Sequence, residues 1–270
     1  MRWGRGTDRP RAYSTSRPEQ EDRKMASPPR AMVTGAASGI GEAAARRLLE
    51  EGCSVIAVDI NESGLDQIVA DGAEPLVADL ADLDDRARAI AAGQGIDYLV
   101  NAAGIIRLKG LPEFTVDDWR DIFTINAEAI FFLCQGIGPT MPPGSAIVNL
   151  SSSSAKLSNT VEAAIYAASK TTILSITRSF AYGLAKIPVR VNAVCPAIID
   201  TPMQDKVLEM VAPLRGMTVE ELTVARNASV PLGRTAAPEE LAGLIWFLLG
   251  EKPGYMTGQA VNYGGGYVTW

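Results

Sequence analysis

From residue 31 onward, short β-branched runs alternate with longer stretches of helical periodicity, and no other feature of the chain narrows its fold as far. Segments 31–34, 55–59, 75–78, 98–101, 146–150, 189–194 and 260–262 read as strands. Most are apolar throughout, as strands are when both faces of a parallel sheet are covered. Helical patterns fill 40–51, 63–70, 82–92, 115–137, 162–186 and 238–249. Parallel neighbours need crossover connections, so the alternation predicts an α/β fold: a single doubly wound parallel sheet with helices on both faces. One domain over 30–270 accounts for the pattern, without internal repeats. Segment 202–238 breaks the alternation with helical patterns of its own. An insertion there, at the carboxyl edge of the sheet, is a natural substrate loop.

A chain of 270 residues, 47% of them hydrophobic, can bury one large core. Its 25 basic and 31 acidic residues give a net charge of −6, which argues against a dedicated nucleic-acid binder. The apolar run 241–249 is too short to cross a bilayer, and no membrane association is expected. Cys53, Cys134 and Cys195 are odd in number, far apart and in apolar settings. They read as reduced core residues of a cytoplasmic protein, with no disulfide framework and no metal site. Residues 1–29 differ: rich in Arg and Pro and without apolar periodicity, they read as a disordered N-terminal extension, and Met25 could open a complete domain. The missing apolar segment excludes a secretory signal, while Glu19, Glu21 and Asp22 speak against an organelle transit peptide.

The first predicted strand runs into Thr34-Gly35-Ala36-Ala37-Ser38-Gly39-Ile40-Gly41 and then directly into a helix. Glycines at such a junction permit a tight turn and close approach of a pyrophosphate to the backbone, with the helix N-terminus supplying unpaired N–H donors. The spacing is G-x3-G-x-G rather than G-x-G-x-x-G, yet the strand–turn–helix setting points to a dinucleotide site. The second strand ends at Asp59, where a carboxylate can accept hydrogen bonds from the adenosine ribose hydroxyls. It would repel a 2′-phosphate, and neither Ser38 nor Ile60 supplies a cation, which favours NAD over NADP. The chain has no histidine, so proton transfer must fall to Tyr, Lys, Cys or a carboxylate. Tyr166 and Lys170, four residues apart, share one face of a predicted helix, where the ammonium can lower the phenol's pKa.

With these motifs, the chain from residue 30 to its end resembles the classical short-chain dehydrogenase/reductase family. The glycine turn is similar to that family's T-G-x3-G-I-G, and Tyr166-Ala-Ala-Ser-Lys170 to its Y-x3-K. Asp79-Leu80, Asn101-Ala102-Ala103-Gly104, Asn126 within Thr-Ile-Asn-Ala, and Pro196 through Thr201 follow in the family's order. The resemblance implies a Rossmann-type sheet and a set of roles. Tyr166 would exchange a proton with the substrate oxygen, Lys170 would lower its pKa and bind the nicotinamide ribose, and Asn126 would hold a water in a proton relay. Gly35, Ser38, Gly39, Ile40 and Gly41 would cradle the cofactor's pyrophosphate, with Asp59 and Ile60 at its adenosine ribose. Asp79 and Leu80 would contact adenine, Asn101, Ala102, Ala103 and Gly104 would line the cofactor, and Pro196, Ile199 and Thr201 would hold the nicotinamide end.

The family's serine, which hydrogen-bonds the substrate oxygen, falls within Ser151-Ser152-Ser153-Ser154. Strand register selects Ser152, whereas the customary count back from Tyr166 selects Ser153. Ser152 is preferred, because a loop absorbs an inserted residue more easily than a strand end does. Three departures stand out: Ala102 replaces the second Asn of N-N-A-G, Ala197 replaces the glycine after the family's proline, and the stretch 82–95 is shorter than usual.

These readings predict an NAD-dependent oxidoreductase interconverting a secondary alcohol and a ketone. Arg107, Lys109, Glu162, Met203 and Gln204 lie on segments expected near the pocket mouth, and their mixed polarity favours a polyol or sugar alcohol. A 3-oxoacyl or hydroxyacyl substrate is the alternative. A non-catalytic NAD-binding sensor would need only the cofactor half of the site, so retention of Tyr166, Lys170, Asn126 and a serine argues against it. Ile130, Phe131, Phe132, Leu174, Ile176 and Phe180 exceed one apolar stripe on two long helical segments. Together with the glycine-rich, aromatic C-terminus they predict a homotetramer, as the resemblance also implies.

Overall fold

The computed structural model describes residues 27–157 and 160–270, so most of the expected N-terminal extension lies outside the described residues. Seven strands form one sheet: β1 (Arg30–Thr34), β2 (Ser54–Asp59), β3 (Glu74–Val77), β4 (Tyr98–Asn101), β5 (Ala146–Leu150), β6 (Arg190–Pro196) and β7 (Ala260–Tyr263). Their spatial order is β3-β2-β1-β4-β5-β6-β7, and every neighbouring pair is parallel. The direction in which the chain steps across the sheet reverses between β1 and β4, which opens a crevice at the carboxyl ends of those strands.

Alternation along each strand feeds two cores. Ala31 and Val33 of β1 face one, and Met32 faces the other. The first core is covered by α1 (Gly39–Glu50), α2 (Glu62–Ala70) and α9 (Pro238–Leu249), which bury Leu48, Ile68 and Leu241. The second lies under α3 (Leu83–Ala92), α5 (Ile130–Ile137) and α6 (Ala164–Leu184), through Ala89, Leu133 and Ile173. The doubly wound sheet predicted from the alternation is therefore present. Caps set the helix starts: the Asp82 carboxylate accepts from the N–H groups of Asp84 and Asp85, and Thr115 with Asp118 forms a capping box. All three cysteines are buried and unpaired.

The helix expected over 115–137 is interrupted. α4 (Val116–Phe123) passes into a wide π turn, Thr124–Ala129, before α5 resumes. The physical reason is Asn126: the extra residue in the turn lets its side chain reach the Ile105 backbone. The run Val116–Thr140 is long and apolar enough to cross a membrane by length and composition, yet half of its most apolar window is buried inside the fold. The insertion after β6 forms two helices, α7 (Pro202–Leu214) and α8 (Val219–Ser229), which close a small satellite core of Leu108, Ala163, Val211, Ala212 and Leu222.

Candidate active site

β1 delivers the chain into the glycine turn, where Gly35 and Gly39 take φ of +69° and +58°. A Cβ on Gly35 would stand 2.8 Å from the Ala103 Cα, and one on Gly41 would stand 2.0 Å from the Gly35 carbonyl oxygen. Nothing larger than glycine fits at either position, so bare backbone lines the crevice. Ala102 and Ala103 both donate N–H to Thr34 Oγ1 at 3.2 Å, which pins the segment after β4 against the turn even with Ala102 in place of Asn. Asp59 accepts from Ala37 N–H at 3.0 Å and from Asn61 N–H at 2.9 Å, so its carboxylate braces the turn as well as facing the cleft.

A cleft of about 690 Å³ runs along these residues: Gly35, Ser38, Gly39, Ile40 and Gly41, then Asp59 and Ile60, Asp79 and Leu80, and Ala102, Ala103 and Gly104. Asn101 is the exception among the expected cofactor residues. It is fully buried and turned into the helix layer, where Nδ2 donates to Asn149 Oδ1 at 2.8 Å. Asn149 in turn donates to Thr177 Oγ1 at 3.0 Å. Asn101 is thus a sheet-bracing residue, because the strand alternates its side chains and the motif's first position points away from the cleft.

A second cavity of about 350 Å³ adjoins the first, and Ile40, Thr201 and Met203 line both. Tyr166, Ser152, Pro196 and Ile199 line this second cavity. The Ser152 hydroxyl hydrogen-bonds the Tyr166 phenol, and it also accepts from Ser154 N–H at 3.1 Å. Ser152 is therefore the serine beside the tyrosine, as strand register predicts; Ser153 opens a short 3₁₀ turn, Ser153–Ala155. Lys170 is buried, with Nζ donating to the Leu150 carbonyl at 2.8 Å and lying 5.6 Å from the centroid of the Tyr166 ring. A Cβ on Gly104 would lie 3.3 Å from that ammonium, so glycine there keeps Lys170 within reach of the cleft.

Burial is the largest influence on the ionisation of both Tyr166 and Lys170. Burial pushes the Tyr166 phenol up to about 12, and the one group opposing it is the Ser152 hydroxyl. Burial also pulls Lys170 down to about 8. Asn126 is tied to two neighbouring segments. Its amide donates to the Ile105 carbonyl at 2.9 Å and to Ser169 Oγ at 3.0 Å, and its oxygen accepts from Ile105 N–H at 2.8 Å. Both amide hydrogens are committed, so the side chain braces the loop after β4 against α6.

Charges near the pocket mouth are arranged differently from the sequence reading. Lys109 pairs with Asp118 at 2.6 Å and holds its carboxyl down at about 2. Glu162 pairs with Arg215 at 3.1 Å. Arg107 lines the dinucleotide cleft, Met203 both cavities and Gln204 the substrate cavity. Sequence reasoning missed Arg215, Arg226 and Tyr267, which also line the substrate cavity. Their one signal was position, on the insertion's helices and beside the C-terminal glycines. Ala197 is accommodated across the cavity wall: a Cβ on Gly264 would lie 2.8 Å from that of Ala197, so glycine at the facing strand end leaves room for the Ala197 methyl.

The sheet, the glycine cradle and the paired tyrosine and serine define a dinucleotide-binding α/β oxidoreductase. A family model described as enoyl-(acyl carrier protein) reductase matches residues 35–268. A 3-oxoacyl-[acyl-carrier-protein] reductase from Thermotoga maritima is 36% identical over 249 residues, covering 88% of this chain and 96% of that protein. A D-threitol dehydrogenase from Mycolicibacterium smegmatis is 34% identical, with 88% and 92% covered. Among solved structures, a point variant of the actinorhodin polyketide ketoreductase with NADPH superposes with a TM-score of 0.83 at 30% identity, covering 90% of this chain and 98% of that one. The chain belongs to the classical short-chain dehydrogenase/reductase family, whose members bind a nicotinamide cofactor.

Proposed function

We propose that this protein is an NAD-dependent oxidoreductase that interconverts a secondary alcohol and a ketone, with Tyr166 as general acid/base. The observation that carries the reading is the Tyr166 phenol, hydrogen-bonded to Ser152, in a cavity that meets the dinucleotide cleft at Thr201. A bound nicotinamide supplies the hydride acceptor or donor. In oxidation the carbinol O–H proton passes to the Tyr166 oxygen in its phenolate form while hydride leaves the carbon; reduction reverses both transfers. Ser152 orients the substrate oxygen, and the Lys170 ammonium places positive charge beneath the phenol.

Asp59 supports NAD over NADP. Its carboxylate lies at the cleft beside the exposed Ile60, and the cleft's lining arginines, Arg107 and Arg120, belong to the loop after β4 and to α4. The hydroxyls of Ser151, Ser152, Ser153, Ser154 and Thr160, with Gln204, support a hydroxylated substrate such as a polyol, in keeping with the threitol dehydrogenase relative. The apolar wall of Ile106, Leu108, Val207 and Val211 favours a second reading, a 3-oxoacyl or hydroxyacyl substrate. The three buried thiols fit a reducing, cytoplasmic setting. A panel of polyols, hydroxyacyl thioesters and ketones, run with both cofactors and followed by nicotinamide absorbance, tests the proposal. Turnover with NAD is expected on a secondary alcohol; a binder that turns over none of the panel would be a sensor.

A further inference from the structure

Among the described residues lining the substrate cavity, the charged side chains are two arginines, Arg215 and Arg226, and no carboxylate lines it. Their circumstances differ. Arg215 donates from Nε and Nη2 to Glu162 at 3.2 and 3.1 Å, which cancels its charge and ties the insertion to the approach of α6. Arg226 projects from α8, partly buried, and donates Nη2 to the Gln204 side-chain oxygen, a neutral acceptor. Desolvation lowers its pKa, the Tyr267 phenol opposes that shift and the Arg215 cation adds to it. No carboxylate contributes. A guanidinium remains protonated through such shifts, so the cavity retains one uncompensated positive charge.

A partly desolvated cation without a counter-ion is costly to maintain, and an anion arriving with the ligand recovers that cost. The apolar side chains Leu108, Val211 and Leu222 line the same cavity. They exclude water and strengthen any ion pair formed there. We infer that Arg226 is a specificity-determining residue that pairs with a carboxylate of the substrate, which narrows the hydroxylated substrate class to hydroxy and oxo carboxylates. A phosphate dianion would call for a second free cation, and Arg215 is already matched by Glu162. The inference rests on the proposed function in one respect, that the cavity beside Tyr166 is the substrate site.

Calorimetric titration of the whole protein in the presence of NADH, which cannot accept hydride from an alcohol, with short aldonates and with alditols of matching length and configuration, reads the inference without turnover. At least one aldonate is expected to bind about tenfold or more tightly than its alditol, the range of a charge-assisted hydrogen bond. Arg226→Gln should bring that ratio close to unity, and Arg226→Lys should retain part of it. NAD affinity reports whether each variant is folded, and the wild-type ratio needs no variant at all. Equal affinities in the wild type, no aldonate binding, or a preference that survives Arg226→Gln each overturn the assignment. Failure of the hydride-transfer reading looks different: the aldonate preference persists, while no substrate turns over and Tyr166→Phe changes nothing.

Discussion

Only 4% exposed and with its ammonium on the Leu150 carbonyl, Lys170 holds a charge that the fold disfavours. Its folded value of about 8 lies below the ordinary 10.5, so between those limits the unfolded chain binds the proton more tightly. The Lys170 contribution to stability therefore rises with pH across that window and is lost as pH falls through the folded value. In urea unfolding of the cofactor-free protein, the stability of Lys170→Met relative to wild type should decline from pH 8 towards 10 by up to about 1.4 kcal/mol per pH unit. A pH-independent difference would show that the ammonium is not desolvated. Tyr166, raised to about 12, is a protonated phenol at neutral pH and a weaker acid than an ordinary tyrosine. Tyr166→Phe is expected to lower kcat by ~10²–10⁴ while leaving NAD affinity within a few-fold, measured by steady-state kinetics and cofactor titration. Near-normal kcat would remove Tyr166 from the reaction. Asp59→Ala should weaken NAD and cut the preference over NADP by at least about tenfold, roughly 1.4 kcal/mol. It also strands the Ala37 and Asn61 N–H groups, so a stability loss of about 1 kcal/mol should accompany it. A wild type that prefers NADP would defeat this reading of the strand end.

At the level of elements, the glycine turn is the most tightly constrained piece of chain. Gly41→Ala places a methyl 2.0 Å from the Gly35 carbonyl oxygen, so the turn must open or the start of α1 must shift. Strain of this kind typically costs about 1–3 kcal/mol, and NAD affinity should fall along with the melting temperature. Unchanged affinity in calorimetry would mean that the turn does not cradle the cofactor. The sheet and its helices were legible in the sequence because each strand is an apolar run and each helix is periodic. The π turn at Thr124–Ala129 was not, since apolar periodicity runs through 115–137 without a break and only the tertiary bond from Asn126 to Ile105 separates α4 from α5. The Asn101 motif identified the right loop, yet a four-residue motif read as a block hides the strand alternation that turns its first side chain towards Asn149. The substrate cavity was the least legible part. Chain order does not say that Glu162 meets Arg215, 53 residues later, or that Arg226 is left with a neutral partner.

For the whole molecule, the apolar residues expected to mark an oligomer separate into two groups. Ile130, Leu174 and Ile176 are buried within one subunit and need no partner. Phe131 and Phe132 remain 37% and 39% exposed on α5, with Phe131 edge-on to Phe180 at 5.3 Å, and Tyr182 on α6 is 88% exposed. These form the face that a second copy would cover, and burying aromatic rings there is worth roughly 1.5–3 kcal/mol each. The C-terminal glycines are already needed inside one subunit. Side chains at Gly264, Gly265 and Gly266 would each strike Ala197, Val230 or Pro231 at 2.8 Å. What remains at that end is the Trp270 ring, 70% exposed, on a backbone held by Lys156 Nζ at 3.0 Å and Asn262 Nδ2 at 3.2 Å. A ring presented on so fixed a backbone loses little entropy on docking, which favours a second interface. The expected assembly is a homotetramer of the 28.7 kDa chain, measured by light scattering after size exclusion at micromolar concentration. Phe131→Glu combined with Phe132→Glu should break the α5–α6 face and leave dimers held at the other end, while removal of the Trp270 ring should leave dimers held through the helices. A wild-type mass of a single chain would refute both interfaces together.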